Sequence, residues 1–315
     1  MSAGWVAGSV RARVLACRRI GASEARRVAG CASLRAALSA LDSTGYRLPE
    51  ERRSSDHAGL TDVLSAAQHA IEAAVLWDLR VLAGWLPPGG TPLMRVLAGW
   101  FEIANVTERL AELAGGRRAE YFELGALATA WPRLRACQDP AAMRSVLAAS
   151  AWQDPGGDTA DLLAVGLRAR WAQRIAALGD TERTWAAAAV ALLLAGELHQ
   201  SRRPDASALQ AVAVKLLGPE AAAAVTVADL ARAVPARVTW VLGDQDRGWQ
   251  AWQAETAWWR RTEREGQELL AGTGFDAKPV IGAAVVLAAD ARRVRSALEL
   301  AARGGGPIEV FDEVA

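Results

Sequence analysis

Lysine is nearly missing from this 315-residue chain: it stands only at Lys215 and Lys278, so almost all positive charge is arginine. Cysteine is scarce as well. Cys17, Cys31 and Cys137 are odd in number, widely spaced and form no C-x-x-C pair. That pattern excludes a disulfide framework and offers no zinc spacing, so reduced, mostly buried thiols in a cytoplasmic setting are expected. Long apolar runs are missing too. The longest are 185–196 and 279–289, well short of the roughly 20 residues that cross a bilayer. The opening "MSAGWVAGSVRAR" lacks the apolar run of a signal peptide. Net charge is only +1, which gives no global reason to expect nucleic acid or an anionic membrane as partner. Strand-type alternation is almost absent.

Chemistry-bearing clusters are equally thin. His57, His69 and His199 are scattered, with no second ligand at metal spacing. Gly272 and Gly274 lie in "AGTGFDAKP", which lacks the Gly-Lys-Ser/Thr of a phosphate cradle. "GDQDRGWQAWQAE" sets Asp244, Asp246 and Glu255 at calcium-loop spacing, but Trp249 fills the position that needs glycine for the turn. It reads as a polar loop before a helix. No catalytic residue, cofactor or metal is expected.

What is present is helix. Alanine, leucine and arginine recur at 3.6-residue spacing, which predicts an all-α chain of about ten to fourteen helices with short connections. Thr61 reads as the N-cap of a long helix that stops before Pro87-Pro88-Gly89-Gly90. Asp139 and Pro140 read as the N-cap and first residue of another. The length exceeds one ordinary domain. Charge is uneven: residues 1–41 hold Arg11, Arg13, Arg18, Arg19, Arg26, Arg27 and Arg35 against Glu24 alone, while the tail holds Glu309, Asp312 and Glu313. The arginines form either a solvated face or a contact patch for an acidic partner protein. Tryptophan occurs 13 times, and Trp240, Trp249, Trp252, Trp258 and Trp259 cluster. They either fill a core or expose one or two rings as an aromatic hot spot.

One helix and its stop recur along the chain. In "EIANVTERLAELAGG", Glu102 is followed by Asn105 at +3, Val106 at +4, Leu110 at +8 and a double glycine. In "DARRVRSALELAARGGGP", Asp290 is followed by Arg293, Val294 and Leu298 at the same offsets, then glycines. A weaker middle copy lies in "LLLAGELHQSRR", where Leu194 as position zero puts Glu197 and Leu198 at +3 and +4. The separations are 194 − 102 = 92 and 290 − 194 = 96 residues, too long for a short solenoid repeat. They suit three similar small helical domains. Positions +4 and +8 pack inward, and glycine ends the helix in the left-handed conformation. The acids at zero read as solvated or locally bonded, or as partners of arginines between domains.

In order and spacing, several stretches resemble the C-type (or d) subunit of V-type and A-type rotary ATPases. They are "VAGSVRARVLA", "LRAALSALDSTGYRL", "LAGWFEIANVTERLAELAGG", "QDPAAMRSVLA" and "VIGAAVVLAADARRVRSALELAARGGGPIEVFDEVA". Glu102 and Asn105 occupy that family's acid and asparagine places. Gly8-Ser9 replaces its asparagine-alanine, and Arg293 replaces an asparagine. The resemblance implies three helical-bundle domains arranged as a pseudo-threefold funnel, with boundaries here at 1–116, 117–205 and 206–315. It implies a non-catalytic part that joins the shaft subunits of the ATP-hydrolysing head to the membrane proteolipid ring, for proton or sodium transport. Location would be cytoplasmic, peripheral to the inner face of the plasma membrane. Arg11, Arg18, Trp249, Trp252, Trp258 and Trp259 are the candidate partner contacts. Competing readings are a helical protein-binding scaffold outside an ATPase, an all-helical enzyme, and a nucleic-acid binder using the arginine-rich start. The enzyme lacks convergent Glu/His clusters, and the arginines lack interleaved aromatics.

Overall fold

The computed structural model describes residues 3–46, 59–117, 120–200, 207–243 and 249–314. Every regular element among them is helical, with no strand, so the chain is all-α as its periodicity predicts. In chain order the α-helices are α1 (Ala3–Ala16), α2 (Gly21–Ala29), α3 (Leu34–Ala40), α4 (Leu60–Ala83), α5 (Gly90–Leu97) and α6 (Gly99–Leu113). Then come α7 (Trp131–Leu134), α8 (Pro140–Ala148), α9 (Ala160–Ile175), α10 (Asp180–His199), α11 (Ser207–Leu217), α12 (Pro219–Ala222) and α13 (Val227–Ala233). The last three are α14 (Ala251–Ala271), α15 (Ala277–Ala302) and α16 (Ile308–Val314). Two compact units result: residues 1–90 with 259–315, and residues 91–258. The boundaries read from sequence at 116 and 205 both fall inside the second unit.

In the first unit α15 is the central element. Helices α1, α2, α3, α4 and α16 all pack against it. Its sequence explains why: Val280, Ile281, Ala283, Val286, Leu287, Val294, Ala297 and Leu298 are buried on successive faces, and a helix with apolar residues on several faces is covered by neighbours on several sides. Each fully buried valine or leucine contributes about 1.5–3 kcal/mol. Asp276 caps its start, its side chain accepting from Lys278 N at 2.9 Å. Against α14 the backbones come close through paired glycines. A Cβ on Gly282 would lie 2.5 Å from the Gly266 carbonyl oxygen.

In the second unit α10 is central, with α9, α11 and α13 packed on it. Ala186, Ala187, Ala188, Ala191 and Ala195 line its contacts, so neighbouring helices approach closely and Leu209, Val212, Leu216, Leu230 and Val238 fill the space between. Helix α6 packs on α9, where Gly99 leaves room for the Trp171 ring.

Local signals fared unevenly. Asp139 does cap α8, accepting from Ala142 N at 2.8 Å, and Pro140 is its first residue. Thr61 is not a cap: α4 starts at Leu60, Gly59 is its N-cap, and Thr61 lies in the first turn. The thiols are also more open than expected. Cys17 is exposed, and Cys31 and Cys137 are half-buried. Each sits just past the end of a helix, where the chain turns at the surface.

Candidate functional site

The recurring helix carries the chain's most specific polar architecture. Glu102, on α6, is 1 % exposed. Its carboxylate accepts from Thr129 N at 2.7 Å and Ala130 N at 2.6 Å. These amides enter the short helix α7, whose first N–H groups have no partner within the helix. Three residues on, Asn105 bridges one backbone unit twice: Oδ1 accepts from Phe122 N at 2.7 Å and Nδ2 donates to Phe122 O at 2.9 Å. Arg174 lies nearby over the Trp152 ring at 4.8 Å; burial pulls its guanidinium below its ordinary range, with Glu102 acting against the shift.

Asp290, on α15, repeats the arrangement in the first unit. It is fully buried. Oδ2 accepts from Ile20 N at 3.0 Å and Oδ1 from Gly21 N at 2.9 Å, at the entry of α2. Tyr46, from the Thr/Tyr segment that carries part of the resemblance, donates its hydroxyl to Oδ2 at 3.0 Å. Both acids therefore clamp two successive amides at the start of another helix. The glycine stops also match. Gly115 (φ +89°) and Gly304 (φ +92°) take the left-handed conformation. Gly116 N donates to Ala111 O at 2.9 Å and Gly305 N to Leu300 O at 3.1 Å, the long bond of a Schellman motif.

The copies part at +3 and in the middle. Arg293 pairs with Glu263 of α14, and also stands 3.7 Å from Asp290, instead of bridging a backbone unit. In the middle copy Leu194 replaces the acid and is buried in the alanine-rich core. The expectation that Glu102 and Asp290 are solvated or locally bonded is overturned. Their backbone and tyrosine partners lie 27 to 28 residues away for Glu102 and 244 to 270 for Asp290. A carboxylate among apolar helix residues is tolerated when several donors meet it.

The candidate partner contacts divide between the two units. In the first, Arg11 stands 5.8 Å from the Trp85 ring centroid, and Arg18 pairs with Asp78 at 3.1 Å with its side chain 53 % exposed. Burial raises the Asp78 carboxyl above its usual range, with Arg18 and then Arg11 pulling it back. Trp259 is half-buried under Arg292, whose guanidinium carbon is 5.7 Å from its ring. In the second, Trp249 and Trp258 pack partly onto the core. Trp249 stacks edge-on with His199 at 5.3 Å, and Trp258 donates to Trp185 O at 3.0 Å. Trp252 is the exposed member, at 43 %.

Sequence reasoning missed two features. Val6, Val10 and Val14 form an exposed stripe along α1; their spacing of four was the available signal. The basic start and acidic tail also meet. Arg26 holds Asp312 through a two-pronged contact at 2.9 and 3.1 Å. Opposite charge at the two ends was the hint.

Asp244 and Asp246 of the calcium-like pattern, and His57, lie outside the described residues. Among the described residues, no group of three His, Cys, Asp or Glu could hold a metal ion, and no helix is long and apolar enough to cross a membrane. No protein-family model matches the chain, and no curated protein matches it.

Proposed function

We propose that this chain is a non-catalytic coupling subunit of a rotary ATPase, joining the shaft of the ATP-hydrolysing head to a membrane proteolipid ring. The observation that carries the reading is the recurrence of one helix with one job. Glu102 and Asp290 stand at the same place in the two copies, and each buried carboxylate holds two successive amides at the entry of another helix. Such clamps fix helix against helix without performing chemistry, which suits a part that transmits force through rigid contacts. The proposal includes three related helical lobes around a funnel. The first and middle copies both lie in the second compact unit and the last in the first unit. Proton or sodium transport would be carried out by the assembled motor, with the chain peripheral to the cytoplasmic face of the membrane.

The departures favour a second reading, a family offshoot serving as a helical protein-binding scaffold outside any ATPase. Leu194 has taken the place of the middle acid, and Arg293 that of an asparagine.

The test is affinity purification of the tagged full chain from its native membrane, followed by identification of what accompanies it. Stoichiometric recovery of ATP-hydrolysing head subunits with proteolipid supports the motor reading. Recovery of a complex holding neither sinks it and leaves the scaffold.

A further inference from the structure

The exposed face of α1 has no role in the core of the first unit. Val6, Val10 and Val14 are 37, 50 and 49 % exposed, while Gly8, Ser9, Ala12, Leu15 and Ala16 are buried on the opposite side. Four residues advance a helix by about 6 Å, so the valines make a straight ridge of about two turns. By the same geometry Arg11 borders this ridge on one side and Arg13 on the other, and Arg18 lies in the turn just past the end of α1.

The border is positively charged and poorly neutralised. Arg11 faces the Trp85 ring, and Asp78 is the carboxylate that serves both Arg11 and Arg18. Arg13 donates to the carbonyls of Leu270, Gly272 and Gly274, at the end of α14. Those carbonyls stand at the negative end of the α14 dipole, which offsets the Arg13 charge only in part. Two cations thus flank the apolar ridge and a third lies past its end, and Asp78 is the one carboxylate among these contacts that offsets them.

The chain itself shows what such a surface accepts. The acidic helix α16 lies against α2. Phe311 is its anchor, 3 % exposed, and the Asp312 carboxylate takes the Arg26 fork. Arg260 adds bonds to the Asp312 and Glu313 carbonyls at 2.7 and 3.0 Å. An acidic helix with an apolar face on an arginine-bearing helix is therefore a contact this fold already makes.

We propose that the face of α1 centred on Val10 docks an acidic amphipathic helix of a partner protein. The partner's apolar ridge lies along Val6, Val10 and Val14, and its carboxylates face Arg11 and Arg18. The pairing has the helix-in-groove form of peptide recognition, with charge setting partner and register. It does not rest on the rotary-motor reading and holds for either function above.

The probe is a fluorescein-labelled synthetic helix of about five turns, with leucines on one face and glutamates beside them. The full chain is titrated into it and anisotropy is read. Expected is saturable binding, weakened by salt, and at least about tenfold tighter than for the same peptide with lysines replacing the glutamates. Val10→Asp should weaken binding about tenfold or more while helical circular dichroism stays unchanged, because Val10 is half exposed. The double variant Arg11→Glu, Arg18→Glu should reverse the preference toward the lysine peptide. Equal affinity for the two peptides, indifference to Val10→Asp, or no saturable binding would overturn the proposal. So would Val10-dependent binding to phosphatidylserine vesicles without peptide binding, which makes the face a lipid surface. Val10-dependent self-association that the peptide cannot compete away makes it a contact between copies, and overturns the proposal as well.

Discussion

The Tyr46 hydroxyl donates to Asp290 Oδ2 at 3.0 Å, joining the segment that follows α3 to the centre of α15. The same carboxylate holds Ile20 N and Gly21 N. One buried group therefore ties three separate backbone segments.

Removing that group should be among the most damaging single changes in the first unit. A hydrogen bond to a charged group is worth about 1.5–3 kcal/mol, and orphaned buried donors add their own cost. Asp290→Ala should lose about 3–5 kcal/mol, and Tyr46→Phe about 1 kcal/mol. Urea unfolding of Tyr46→Phe gives a reading even if the alanine variant does not fold. A midpoint identical to that of the parent chain would show that the tyrosine bond contributes nothing.

The middle copy offers the opposite experiment. Leu194 is 2 % exposed within the alanine-rich core. Leu194→Glu restores the acid of the repeat in the midst of that apolar core. An uncompensated buried carboxylate should cost about 3–5 kcal/mol, against about 2–3 kcal/mol for Glu102→Ala, which strands two amides. Comparison of the two by thermal unfolding decides whether position zero matters by its residue type or by its recipients. Tolerance of Leu194→Glu would mean that the middle copy keeps a hidden receiving site.

Acid pH should act through Asp154. Its carboxyl is held down to about 2 from the ordinary 3.8, first by the hydrogen bond from Arg144 and then by Gly156 N. A depressed folded-state value gives stability above the ordinary carboxylate value, lost as pH falls from about 4 towards 2. Because the Asp154 side chain is 46 % exposed, solvent keeps the effect small. Arg144→Ala should move the Asp154 titration back towards 3.8, read by carboxyl carbon shifts in nuclear magnetic resonance. An unchanged titration would remove Arg144 as the cause.

The α14–α15 crossing should tolerate no added atom. Gly282→Ala puts a Cβ 2.5 Å from Gly266 O and 3.0 Å from Leu270 N, both backbone atoms that cannot swing aside. Overpacking of this kind costs about 1–3 kcal/mol. Gly89→Ala, with nothing within 4 Å of its Cβ position, is the control. Equal melting temperatures for the two variants would show that the helices slide apart freely.

Periodicity and punctuation made the helices legible. The apolar spacing of α15, the Asp139-Pro140 start of α8 and the glycine stops at Gly115 and Gly304 all reflect rules that act within a few residues. The offset pattern from Glu102 and Asp290 was legible too, but its meaning was not. A carboxylate's worth depends on the donors it meets, and Asp290 meets donors up to 270 residues away. The Trp cluster was ambiguous for the same reason. Trp252 is exposed while Trp249 and Trp258 rest on the core, and the choice is made by neighbours from α10 and beyond. Thr61 failed locally because Gly59, in extended conformation, already supplies the first helical acceptor, its carbonyl taking Val63 N at 3.2 Å.

The first unit is closed by α15, which lies on the far side of residues 91–258 in the chain. During synthesis the apolar faces of α1, α2 and α4 leave the ribosome long before their shared partner exists. The intervening unit has all its own segments in hand and can condense first. At a synthesis rate of about 5–20 residues per second, the early helices wait roughly ten seconds or more for completion. That interval is when a holdase chaperone would have most to protect, and late-stop truncations should aggregate through the N-terminal helices.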